Sequence, residues 1–207
     1  MCASPLLGAN ALPTTVTIAG RAYPIRHDFR DGVRFEELVY DQRVPDGAKV
    51  ALALELWFPA LPEEDLGEVL AAMLAFYRCG KPDNEASSDH HQLYSYSHDY
   101  DLIYAAFLQQ YGIDLLAPAT HLHWWAFRAM FLGLEQTTRF MEVVGYRSMS
   151  IPNGASAEYR AHIRKMKRVF ALPITDASRP VALRDEAEYR DALAAVIAAK
   201  KEGLPGA

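Results

Sequence analysis

Cysteine is nearly missing from this sequence. Cys2 and Cys79 are the only two in 207 residues. Thiols that far apart supply neither a disulfide framework nor a zinc-ligand spacing, so a reducing compartment is expected. Long hydrophobic runs are lacking as well. Charge or proline breaks every apolar stretch well short of the roughly 20 residues that span a bilayer. Residues 1–10 hold no basic segment followed by an apolar one, so no secretory leader is expected there. Excess positive charge is also absent. Lys and Arg total 21 against 26 Asp and Glu, a net charge of −5, and a protein that grips nucleic acid along a broad face is usually more basic than this. The expectation is a cytoplasmic protein that makes no membrane contact and for which nucleic acid is a poor partner.

The common catalytic signatures are missing too. Gly80 and Lys81 are followed by Pro82 where a P-loop carries Ser or Thr, and its upstream glycine is absent. There is no G-x-G-x-x-G after a strand, and no H-E-x-x-H, G-x-S-x-G or C-x-x-C. Each absence argues against that class of site.

What the chain does have is apolar and aromatic material. Hydrophobic residues make up 51%, with 11 Tyr, 9 Phe and 3 Trp, enough for a folded core. The pattern predicts a mainly α protein, a helical domain with a small N-terminal β-hairpin. Residues 14–24 alternate with period 2, with Ala19-Gly20 at the turn. Helical spacing then takes over. Asp31 is read as the cap of a short helix bearing Phe35, Leu38 and Val39, and residues 49–58 as a second helix. Pro62 and the acidic run Glu63-Glu64-Asp65 open a third, with a stripe of Leu66, Leu70, Met73 and Tyr77 joined by Val69 and Phe76, ended by Gly80. Residues 81–98 read as a polar linker or loop.

The second half opens with residues 99–111, where Ile103, Tyr104, Phe107, Leu108 and Tyr111 are assigned to one face, and Gly112 stops the helix. Thr120 is the expected cap of a helix over 122–132 that is apolar nearly all round. A helix over residues 136–144, closed by Gly145, and a helix capped by Ser156 follow. A linker over 173–180 precedes a last helix over about 185–201 with Tyr189, Leu193, Val196 and Ile197 together. The expected division is a flexible 1–13, a hairpin-plus-helices region 14–80, the linker, an aromatic-rich helical region 99–172 and a C-terminal 173–207, with 14–172 able to form one domain.

Three clusters invite a functional reading, each beside a plainer one. His90, His91 and His98 lie near Asp89, Asp99 and Asp101, a set that could ligate a metal but equally belongs in a polar linker. The linker reading is preferred and no metal is expected. His121 and His123 fall on different faces of a helix start and do not make a metal site. Arg160, Arg164, Lys167 and Arg168 form a basic stripe that would suit an acidic protein surface or nucleic acid, or simply the solvated side of an amphipathic helix. Trp124, Trp125 and Phe127 could be a recognition surface or core.

Ordered motifs along the chain resemble the phage gene-product-fifteen family. They are Tyr23-Pro-Ile-Arg-His-Asp-Phe-Arg30, Phe76-Tyr77-Arg78-Cys79-Gly80-Lys81, the stretch 101–115, Leu122-His-Trp-Trp-Ala-Phe-Arg128, and Gly133-Leu134 with Gly145-Tyr146-Arg147. The resemblance covers about residue 12 to about residue 170 and leaves the last helix unmatched. It implies a gene in a siphophage or prophage tail module and a tail assembly chaperone, with no enzyme activity and no cofactor, that coats the tape-measure protein before the tail tube polymerises. The implied partners are the tape-measure protein, then the major tail protein and a second copy of the chain. The implied location is the host cytoplasm, outside the mature virion. A structural minor tail or connector subunit retained in the particle is the alternative. A chaperone for a long apolar helix needs apolar helical surfaces. The surface expected to bind is Trp124, Trp125, Phe127 and Phe131, with Leu193, Val196 and Ile197 on the last helix.

Overall fold

The computed structural model describes residues 12–41, 43–82 and 92–173. The described residues pack as two units, one built from 12–82 with 122–127 and the other from 92–121 with 128–173. Residues 122–127, expected with the second half, therefore pack with the first. The expected helix over 185–201 and the division at 173 lie outside the described residues, as do His90 and His91.

The first unit opens with strands β1 (Thr15–Ile18) and β2 (Arg21–Pro24), antiparallel, with Val16 opposite Tyr23 and Ile18 opposite Arg21. The turn falls on Ala19 and Gly20 as expected, and both have positive φ, 47° and 80°. A two-residue turn needs that conformation to follow the strand twist, and a non-glycine residue holds it at some cost. Ile18 and Ile25 point into the core, and β1 lies on the third helix.

Helix α1 (Phe29–Tyr40) begins earlier than Asp31. Asp28 is the cap, its carboxylate accepting from the Arg30 N–H at 2.9 Å, and Asp31 falls in the first turn. Helix α2 (Asp46–Trp57) buries Val50, Ala51, Ala53, Leu54 and Trp57. Helix α3 (Leu66–Tyr77) is capped by Asp65, which accepts from Gly67 N and Glu68 N. Its buried stripe is Val69, Met73 and Phe76, so the core arc is shifted from the expected Leu66-Leu70-Tyr77 line.

In the second unit, helix α4 (Tyr100–Tyr111) ends on Gly112 in the left-handed region at φ 67°. Helix α5 (Trp124–Leu132) belongs to the first unit at its start and to the second from Arg128. Helix α6 (Arg139–Ser148) is capped by Thr138 and runs through Gly145, which was expected to stop it. Helix α7 (Ala157–Val169) is capped by Ser156 as expected. Thr120 does not cap α5; its hydroxyl donates to the Asp114 carbonyl at 2.6 Å.

One device recurs at the helix ends. The last four carbonyls of a helix have no partner within it, and α1, α2, α3 and α5 carry no basic residue in the last turn to serve them. Donors from elsewhere in the same unit do so instead. Lys49, itself buried, gives its Nζ to the Val39 carbonyl of α1 at 2.9 Å. Arg26 donates to the carbonyls of Glu55 and Leu56 at the end of α2. Tyr111 Oη donates to Met130 O at 2.9 Å, and Gln110 Nε2 to Gly133 O at 3.0 Å, beyond α5. The end of α3 is served by two tryptophans.

Candidate functional site

Trp124 and Trp125 donate their indole N–H groups to consecutive carbonyls, Tyr77 O at 2.9 Å and Phe76 O at 2.8 Å. Adjacent residues of one helix thus grip the last turn of another. Trp124 is fully buried, stacked on Tyr77 with centroids 5.6 Å apart and edge-on to Trp57 at 6.3 Å. Phe127 is buried against Phe29 at 5.1 Å. In the second unit Phe131 is buried among Tyr94, Tyr96 and Phe140. The expected binding surface is corrected here for three residues: Trp124, Phe127 and Phe131 are core. An all-round apolar helix supplies core contacts on every side, and these side chains are spent on them. Trp125 is half-buried with its polar atom engaged. Leu193, Val196 and Ile197 lie outside the described residues.

The start of α5 is organised by His123. Its Nδ1 accepts from the Trp125 N–H at 3.0 Å, the role a side-chain oxygen has at an ordinary helix start. Its Nε2 bonds the Pro13 carbonyl at 2.9 Å, and an acceptor there fixes the proton on Nε2. The ring stacks on His27 at 5.1 Å. Burial holds its pKa below the ordinary histidine value, and His27 acts in the same direction, while the Pro13 carbonyl acts against them.

Asp99, read beside His98 as a possible metal ligand, is committed elsewhere. Arg147 donates to both its oxygens, at 2.7 and 2.8 Å, and the Ser95 N–H reaches Oδ2 at 3.0 Å. Both residues are buried. Arg147 also serves the Leu93 carbonyl at 3.0 Å and the Phe170 carbonyl, just past α7, at 2.6 Å. One guanidinium so joins the segment before α4, the start of α4, α6 and the end of α7. Among the described residues no group of three or more His, Cys, Asp and Glu side chains is arranged to hold a metal. His98 is exposed.

A cleft between α1, α2 and α3, lined by Phe35, Val39, Lys49, Val50, Leu70 and Met73 among others, has a volume of 30 Å³. That is room for about two water molecules.

Apolar surface remains open at several places, Leu52 and Leu61 in the first unit among them, and on α4 it forms a line. The face assigned from sequence divides in two. Ile103 and Phe107 are buried with Ala106. Tyr100 and Leu108 are 60% and 44% exposed, and Tyr104 between them is half-buried. Tyr100, Tyr104 and Leu108 recur every four residues and so form one outward line beside the buried one. Leu116 and Leu132 of the same unit are each 65% exposed. The sequence showed these residues as apolar; a helix apolar on two adjacent arcs gives no local cue to which arc faces the core. No helix among the described residues is long and apolar enough to cross a membrane.

No curated protein and no solved structure matches the chain. A family model does, that of the Bacteriophage Gp15 protein, over residues 9–172. The match takes in the hairpin, all seven helices of the described residues and both packing units, and the chain belongs to the bacteriophage Gp15 family.

Proposed function

We propose that this bacteriophage protein is a tail assembly chaperone that acts by binding alone. In the host cytoplasm it holds the apolar helical tape-measure protein until the tail tube forms around it, and it stays out of the finished virion. The observation that carries this reading is the outer line of α4, where Tyr100, Tyr104 and Leu108 present apolar surface at helical spacing. A partner helix meets such a line through its own residues three and four apart, and many modest contacts of this kind allow release. Membership of a phage family supports the setting.

The test is co-expression with the tape-measure protein of the same locus, followed by pull-down and a solubility assay. The expected result is a soluble tape measure that co-purifies with the wild-type chain and is lost with Tyr100→Asp/Leu108→Asp. An insoluble tape measure with nothing co-purifying sinks the proposal. Finding this chain in purified virions by mass spectrometry would instead favour a structural tail subunit.

A further inference from the structure

Helix α7 carries charge of one sign along one side. Arg160, Arg164 and Arg168 recur every four residues, Lys167 falls within the same arc, and Lys165 flanks it. Glu158 is the helix's single carboxylate. Its five cations give the helix a formal charge of +4 in a chain of −5, which leaves −9 for the rest. Cations spaced i, i+4 repel and weaken a helix. Among the described residues none of these five sits in an ion pair; Arg160 gives its Nε to the Ala155 carbonyl at 2.8 Å. The array is also held in place. Ile163 is buried, Phe170 stacks on Tyr146 at 5.7 Å, and the Phe170 carbonyl is bound by Arg147. A ridge of cations without an ion partner among the described residues therefore stands on a helix anchored through Ile163 and Phe170.

We propose that the cationic face of α7 docks an acidic helical segment of a partner protein, which lays a line of carboxylates along Arg160, Arg164 and Arg168. Charge complementarity identifies the occupant. Successive arginines sit about 6 Å apart along the axis, the repeat that carboxylates four residues apart have on a partner helix. Guanidinium forks suit carboxylates in pairs. The −9 carried by the rest of the chain opposes a long polyanion such as DNA. This surface is on a different helix from the apolar line of α4, so it goes beyond the chaperone reading and can fail or hold independently of it.

The experiment uses the full chain and three fluorescein-labelled probes in ~150 mM salt, where weak surface attraction is screened. The first is a helical peptide with Glu at every fourth position on one face. The second is a scrambled peptide of the same composition, and the third a short DNA duplex. Anisotropy should show the one-faced peptide binding at least roughly tenfold tighter than the scrambled one. Arg160→Glu/Arg164→Glu/Arg168→Glu should remove that binding, and the milder triple change to Gln should weaken it, with far-UV CD and melting temperature kept. Equal binding of the two peptides overturns the proposal, as does no binding of either. Tighter binding of the duplex than of the one-faced peptide overturns it in favour of a nucleic-acid face.

Discussion

The Trp124 ring lies directly over Gly32 of α1, so close that a methyl group built on Gly32 would fall inside the indole. The glycine is in an ordinary helical position, and its backbone does not need glycine's freedom. It is there for the space that the tryptophan occupies.

Gly32→Ala should therefore destabilise the protein, although alanine is the better helix former by ~1 kcal/mol. Overpacking a core of this kind costs about 1–3 kcal/mol. Urea unfolding measures the difference. A stabilised variant would show that Trp124 does not lie over Gly32.

Arg147→Met should be among the most damaging single changes. It leaves the Asp99 carboxylate buried without its cation, a loss of about 3–5 kcal/mol. Adding Asp99→Leu should recover much of that, because a buried pair replaced by apolar groups is often neutral. Recovery should stay incomplete, since the carbonyls of Leu93 and Phe170 also lose a donor. Denaturation midpoints of the two singles and the double complete the cycle.

His123 predicts a pH dependence. The fold holds the ring neutral, with Nδ1 accepting and Nε2 donating, and burial lowers its pKa below 6.5. The unfolded chain then takes up the proton first as pH falls, so stability rises with pH in this window. The contribution should be complete above about pH 6.5, decline as pH drops from there to the folded value, and change no further below it. Urea midpoints of wild type and His123→Gln, compared across pH 5 to 8, should diverge over that range. Every group other than residue 123 is common to both proteins. Parallel curves would exclude the neutral lock.

Tyr100→Asp and Leu108→Asp should leave stability within ~0.5 kcal/mol, as surface changes do. Phe131→Asp should prevent folding, because it places a charge among Tyr94, Tyr96 and Phe140. Thermal melts separate the two classes. They also decide which variants are fit for the binding assays.

Much of the fold was legible locally. The Ala19-Gly20 turn, the Ser156 cap, the Gly112 stop and the helical content follow from short-range rules of φ, capping and periodicity. The site was less so. Trp124, Phe127 and Phe131 were read as a surface because they lie on a helix apolar all round, and that pattern is the same whether the helix is central or exposed. Tyr100 and Leu108 are exposed because Ile103, Ala106 and Phe107 on the neighbouring arc won the core.

By itself, then, the sequence determined where helices and the hairpin run, the phage family, and the residue types available for binding. The tertiary structure decided which apolar arc faces inward, that an imidazole starts α5, and that Lys49, Arg26, Trp124, Trp125 and Tyr111 close the ends of helices distant in sequence. The physical reason is range. Caps and periods act over a few residues, whereas an orphan carbonyl accepts from whichever donor the packing brings within about 3 Å.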